Sequence, residues 1–116
     1  MTLGDLVERD GLYYEKFTDV PFNGKVTGRS QGSIKNGEVD GAWVAYHNNG
    51  QLWYKGNYKD GMQDGAWVVY SPNGQLREKG NRRNGRIDGA WVGYNSDGTV
   101  SKEYTGTFKD GVKISD

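Results

Sequence analysis

The stretch Gly56–Lys79, GNYKDGMQDGAWVVYSPNGQLREK, decides the fold because it recurs on both sides at a fixed interval. Glycine, tryptophan and tyrosine residues each return after 24 positions. The three sets are Gly32, Gly56 and Gly80; Trp43, Trp67 and Trp91; and Tyr46, Tyr70 and Tyr94. Self-similarity at a period between about 20 and 50 residues is typical of repeat architectures. The chain is therefore predicted to be an array of similar structural units.

Each unit is predicted to contain two β-strands. The longer strand, about residues 51–59, alternates apolar and polar side chains with a period of two. The shorter strand, Ala66–Tyr70, is apolar on both sides, which predicts that the sheet curls to cover both. Asp60-Gly61, Asp64-Gly65 and Asn73-Gly74 supply the positive φ angles that tight reversals need. A helix is excluded by glycines at intervals of roughly ten residues, each costing about 1 kcal/mol inside a helix.

The fold class that follows is all-β: a single elongated antiparallel meander of 24-residue hairpin repeats, forming an open, solenoid-like sheet. Two strands at about 4.8 Å each give about 10 Å per repeat, or some 40 to 50 Å in total. The predicted divisions of this one domain are an N-terminal cap with a degenerate repeat at 1–31, full repeats at 32–55, 56–79 and 80–105, and a partial repeat at 106–116.

The two ends of the array are irregular in sequence. Residues 1–10 are polar and are predicted to be frayed, with the packed chain starting near Leu12. The third repeat carries two extra residues, which either extend its strand or form a bulge. An even insertion keeps the strand parity, so Val100, Tyr104, Gly106 and Phe108 are expected to share one face.

Composition limits the possible functions. Formal net charge is zero, so any bias towards an anionic partner must be local. The absence of cysteine excludes disulfides and thiolate chemistry. No apolar stretch approaches the roughly 20 residues of a transmembrane helix, and the first residues lack a signal-peptide core. We expect a cytoplasmic protein, or an exported one if a leader has been removed.

The segments DGAWVAYHNNGQL, DGAWVVYSPNGQL and DGAWVGYNSDGTV, with GNYKDG and GTFKDG at the strand ends, resemble MORN-type repeats, in particular a bacterial variant with tryptophan after the Asp-Gly pair. The resemblance covers about residues 12–114. It implies a β-hairpin array that acts in protein interaction and scaffolding, and, as proposed for some eukaryotic members, in phospholipid binding. Many members look exported and open with a segment similar to Tyr13–Val26.

Few residues are candidates for catalysis or metal binding. His47 is the only histidine, and serine and asparagine replace it in the neighbouring repeats. Asp40, Asp64 and Asp88 are expected to stabilise Asp-Gly turns, because single aspartates a hairpin apart do not supply the six to eight oxygens of a calcium site. No enzyme activity, cofactor or metal is expected.

Aromatic and basic residues are the candidates for binding. The tryptophan and tyrosine ladders are expected to form the core, whereas Trp53 lies on the polar face and is the best candidate for an aromatic platform that binds sugars or bases. That face is also predicted to carry a basic stripe of Lys55, Lys59, Arg77, Lys79, Arg83 and Lys109. A solubilising surface that protects the sheet edges explains such a stripe as well as an anion-binding one does.

The sequence thus predicts a non-enzymatic scaffold that binds another protein. One alternative is binding of an anionic lipid or polyanion through the basic stripe. The other is self-association through the open ends of the sheet, where backbone N–H and C=O groups are unpaired.

Overall fold

The computed structural model describes all 116 residues and confirms the all-β architecture. Nine strands form one antiparallel sheet in which every strand pairs with its neighbour in sequence. They are β3 (Gly24–Val26), β4 (Ser30–Lys35), β5 (Glu38–Tyr46), β6 (Leu52–Lys59), β7 (Met62–Tyr70), β8 (Leu76–Arg83), β9 (Arg86–Tyr94), β10 (Val100–Lys109) and β11 (Val112–Ser115). The molecule measures 47 × 32 × 18 Å, so its long axis agrees with the predicted length. The structure contains no helix long and apolar enough to cross a membrane.

The hairpins on one side of the sheet turn through two residues with positive φ. Asp60 and Gly61 have φ angles of 52° and 78°, and Asn36-Gly37, Asn84-Gly85 and Asp110-Gly111 follow the same geometry. Turns of this kind match the twist of the strands that they join. On the other side the loops are longer, and the Asn73 side chain accepts a hydrogen bond of 3.0 Å from the Gln75 amide.

The prediction of turns at Asp40, Asp64 and Asp88 is wrong. All three aspartates lie inside strands, and β7 extends from Met62 instead of starting at Ala66. The glycine after each aspartate has a positive φ, 89° at Gly65, and the pairing register shifts beside it. These Asp-Gly pairs therefore form β-bulges, which bend the strand without ending it.

The tryptophan ladder forms the core, as predicted. Trp43, Trp67 and Trp91 are buried, and each indole lies over a glycine of the preceding strand. A Cβ atom added to Gly56 would come within 1.9 Å of the Trp67 ring. The 24-residue glycine period thus leaves space for the indole rings. We call this side of the sheet the tryptophan face.

Tyrosines fill the gaps between the indoles on the tryptophan face. Tyr54 stacks on Trp67 with ring centroids 5.4 Å apart, and Tyr58 meets the Trp67 ring edge-on at 5.6 Å. Burial raises the pKa of both tyrosine hydroxyls. The predicted ladder of Tyr46, Tyr70 and Tyr94 is only half-buried, because it lies near the looped edge of the sheet.

The N-terminal residues are ordered, so the prediction of a frayed start is wrong. A 3₁₀ turn, Leu3–Asp5, leads into β1 (Leu6–Arg9), which pairs with β2 (Leu12–Glu15) as a separate hairpin. Leu6 is buried and packs in one cluster with Phe22, Val26, Ile34 and Trp43. Leu3 and Leu6 stand alone in a polar segment, so they form no periodic pattern in the sequence. In the structure they pack with the cluster that contains Trp43, the first indole of the array. The N-terminal hairpin therefore closes this end of the core.

The two-residue insertion in the third repeat forms a bulge. Ser101 pairs with Gly93, whereas Gly106 pairs with Trp91, and the register shifts between them. Val100 pairs with Tyr94 and is half exposed, so the prediction that Val100 shares a face with Gly106 is wrong. Ser101 is buried in its place, because the bulge absorbs the extra residues before the regular pairing resumes.

Candidate interaction site: the lysine face

The side of the sheet opposite the tryptophan ladder carries the predicted basic residues, and we call it the lysine face. Along β6 and β8 burial alternates strictly, with every second side chain exposed. On β10, Lys109 follows Phe108, which pairs with Gly89 on the tryptophan face. The structure therefore places on one exposed face all the candidate binding residues, which are Trp53, Lys55, Lys59, Arg77, Lys79, Arg83 and Lys109.

The register arranges these residues as rows that cross the strands. Lys55 pairs with Val68, and Val68 pairs with Lys79. Two strand spacings of about 4.8 Å therefore separate the Lys55 and Lys79 backbones, about 10 Å in all. Lys59, Arg83 and Lys109 occupy equivalent positions beside the hairpin turns and form a second row. The charges thus lie in two rows along the array.

An open groove crosses the middle of the lysine face. It has a volume of about 710 Å³ and passes over β5 to β9. Three alanines and three valines from equivalent positions form most of its apolar lining, to which Trp43 and Trp67 also contribute: Ala42, Ala66, Ala90, Val44, Val68 and Val92. Lys55, Lys79 and Asn81 supply the polar lining, and no acidic residue contributes. The groove is therefore apolar at its base and positively charged.

The prediction that both sides of the Ala66–Tyr70 strand are covered is wrong. Trp67 is buried on the tryptophan face, but Val68 is only partly buried and lines the groove. Sequence reasoning missed the groove for this reason. Its signal is the Ala-Trp-Val triplet at 42–44, 66–68 and 90–92, in which two apolar residues flank each tryptophan on the opposite parity.

The charges of the lysine face have no acidic partners within the chain. The two ion pairs of the structure are Arg9–Asp19 and Lys113–Asp116, and neither includes a candidate binding residue. A cation without a partner retains its full capacity to bind an external anion. The face is thus electrostatically complementary to an acidic ligand.

Trp53 lies at the looped edge of this face, apart from the groove. Its side chain is 45% exposed. The His47 ring stacks on it at a centroid distance of 5.3 Å, and His47 Nε2 lies 2.9 Å from the Tyr70 carbonyl oxygen. Arg29 and Asn48 are among the residues that line the shallow pocket beside them. His47 therefore positions Trp53, and the pair forms an exposed aromatic surface.

No group of three or more histidine, cysteine, aspartate or glutamate residues in the chain is close enough to hold a metal ion. The residues with raised pKa values, Tyr13, Tyr54 and Tyr58, owe them chiefly to burial. Tyr54 and Tyr58 contact the Trp67 ring, on the side opposite the groove. The chemistry available on the lysine face is therefore contact with apolar groups and with anions.

Comparison with known proteins identifies the repeats. Residues 39–60 and 63–84 each match the family model of the MORN repeat variant. No curated protein matches the chain. Both matched segments begin in one strand of the sheet and continue through the next, so each covers one strand–loop–strand unit. MORN repeats generally serve in scaffolds that bind proteins or membranes, and the family is not known for enzyme activity. Residues 39–60 and 63–84 are thus repeats of the MORN type.

Proposed function

We propose that this protein is a non-enzymatic scaffold that binds an acidic segment of another protein through its lysine face. The observation that carries the proposal is the groove, which combines an apolar base with Lys55 and Lys79 and includes no acidic residue. Apolar burial supplies affinity in protein interfaces, and unpaired charges supply orientation and partner choice.

The size of the face supports a protein partner. The molecule, most of which is the sheet, extends 47 Å along its long axis and 32 Å across. A stable protein interface needs roughly 800 Å² on each partner, which fits within that outline. Trp53 adds a large exposed aromatic side chain at the edge, and tryptophan is enriched among the residues that dominate binding energy.

Site-specific photocrosslinking in the native host tests the proposal. A photoreactive amino acid replaces Val68 in the groove, and in a matched control it replaces Lys16, an exposed residue of the N-terminal segment. We expect a discrete protein adduct from position 68 and not from position 16. Excess unlabelled parent protein should suppress the adduct, whereas a folded Lys55→Glu/Lys79→Glu competitor should not. Equal adducts at both positions, or none at position 68, would refute a protein partner in the groove.

A second candidate function is binding of an anionic lipid surface or polyanion. It is favoured by the two rows of cations, none of which has an ion-pair partner in the chain. Binding of this kind depends steeply on salt, because each neutralised phosphate releases a counterion. Co-sedimentation with phosphatidylcholine vesicles, with and without phosphatidylserine, separates the two functions. Retention that requires phosphatidylserine and falls with salt, without any protein adduct at position 68, would favour the lipid surface.

A further inference from the structure

The repeat geometry of the groove indicates the conformation of its ligand, an inference that rests on the proposed function. Lys55 and Lys79 occupy equivalent positions in successive repeats, with Val68 paired between them. A ligand that follows the array therefore meets a lysine on β6 and, two strands later, a second lysine on β8. Two strand spacings of 4.7 to 4.9 Å give a repeat of about 9.4 to 9.8 Å.

A polyproline II segment has almost the same repeat. It has three residues per turn and rises about 3.1 Å per residue, so one turn advances about 9.3 Å. Residues three apart then project from the same edge. In a β-strand, side chains on one face recur after two residues, or about 6.6 to 6.8 Å, which does not match the array. Two turns of an α-helix advance about 10.8 Å, which is a poorer match that worsens with each repeat.

The polar lining favours the same conformation. A polyproline II backbone forms no internal hydrogen bonds and presents its carbonyl groups outward. Asn81 lines the groove, and Asn57 occupies the equivalent position one repeat earlier, where both side chains are exposed. Their amide groups can donate hydrogen bonds to such carbonyls. An α-helix satisfies its own carbonyls and would leave these amides unused.

We infer that the groove binds a polyproline II segment that runs across the strands and carries acidic residues three positions apart, one for each of the two lysines. Each turn of the segment then places one carboxylate beside Lys55 or Lys79 and rests an apolar side chain on the intervening Val68. One ligand turn matches one repeat of the array.

Synthetic peptides test this inference without knowledge of the natural partner. The first peptide repeats Pro-Glu-Pro along the length of the groove. The second has the same composition, but its glutamates form one block. The third is an alanine-based helix with glutamate at every seventh position. Binding is measured by fluorescence anisotropy of labelled peptides at low salt. We expect the periodic proline peptide to bind up to about fivefold more tightly than either control, because only its carboxylates match the spacing of both lysines and the gain is one further exposed ion pair.

A matched pair of protein variants places the peptide in the groove. Lys55→Gln/Lys79→Gln should weaken binding of the periodic peptide about tenfold, whereas Lys59→Gln/Arg83→Gln removes equal charge from outside the groove and should weaken it less than about threefold. Equal affinity for the periodic and block peptides, tighter binding of the helix, or equal losses in the two variants would overturn the inference. If the peptides fail while the position 68 adduct forms, the proposed function stands and only the ligand conformation is wrong.

Discussion

Replacement of Gly56 by alanine tests the packing principle of the array. The added methyl group would lie 1.9 Å from one Trp67 ring carbon and 2.3 Å from another. An ordinary contact begins at 3.4 Å, so the ring must retreat by about 1.5 Å (3.4 − 1.9). Trp67 is buried and is held between Tyr54 and Tyr58. The indole therefore has no free space into which it can move.

The cost follows from those contacts. Overpacking of a core typically costs about 1 to 3 kcal/mol. Weakening of the two aromatic pairs adds about 0.5 to 1.5 kcal/mol each. Alanine offsets roughly 0.4 to 1 kcal/mol by restricting the unfolded chain. We expect Gly56→Ala to lower the free energy of unfolding by about 1 to 6 kcal/mol, a large share of the roughly 5 to 15 kcal/mol of a typical domain.

A double-mutant cycle separates the clash from other effects. In a Trp67→Leu background the ring is absent, and Gly56→Ala should cost less than about 1 kcal/mol. Gly50→Ala is the matched control: Gly50 has a φ of 86° and no atom within 4 Å of an added Cβ, so its cost of about 1 to 2 kcal/mol is backbone strain. That cost should be the same in both backgrounds. Urea unfolding followed by far-ultraviolet circular dichroism measures all the variants. Equal losses for Gly56→Ala in the two backgrounds would refute the role of glycine as space for the indole.

Four further predictions test the core, the two faces and the N-terminal hairpin. Trp67→Ala should cost about 3 to 5 kcal/mol in urea unfolding, whereas the exposed Trp53→Ala should cost much less; equal losses would contradict the assignment of faces. Leu6→Ala should cost about 2 to 4 kcal/mol, because Leu6 packs in the core cluster, and a neutral result would mean that the N-terminal hairpin does not stabilise the array. Stability should be constant at neutral pH and fall as pH rises above about 10, since burial raises the folded-state pKa of Tyr58 above its unfolded value of 10.0; Tyr58→Phe should flatten that fall in thermal melts. A triple glutamine variant of the lysine face should keep the parental melting temperature within a few degrees and lose salt-dependent binding to heparin; unchanged binding would exclude the basic rows as an anion site. Its substitutions are Arg77→Gln, Lys79→Gln and Arg83→Gln.

The regular part of the fold could be predicted because a single period determines the strand, the turn and the face of every equivalent residue. The strand limits of β6 and the length of the array followed directly from that period. The N-terminal hairpin has no counterpart elsewhere in the chain, so no repetition marks it. Leu6 is buried only because Phe22 and Trp43 lie beside it in three dimensions. Such tertiary contacts leave no local pattern in the sequence.

Asp-Gly pairs show a second reason why the sequence predicted the fold only in part. Asp60-Gly61 forms a hairpin turn, whereas Asp64-Gly65 forms a bulge only a few residues later in the same unit. Both pairs provide a glycine with positive φ, so local conformational preference is the same. The two pairs differ in the direction of the chain that follows them. After Asp60-Gly61 the chain reverses and pairs with β6, whereas after Asp64-Gly65 it continues in the same direction as part of β7. That choice depends on placing Trp67 opposite Gly56, which the glycine period itself implies once the size of an indole is considered.

The same pairing explains why the binding face was predicted only in part. The alternation of β6 identified Lys55 as exposed, but the side of Val68 depends on its partners in the sheet. Gly56 opposite Trp67 forces Lys55 opposite Val68, since the two pairs are adjacent in an antiparallel ladder. Applied through all three repeats, that one constraint places the valines between lysines on the open face. The groove is thus a consequence of the space that each tryptophan requires on the other side of the sheet.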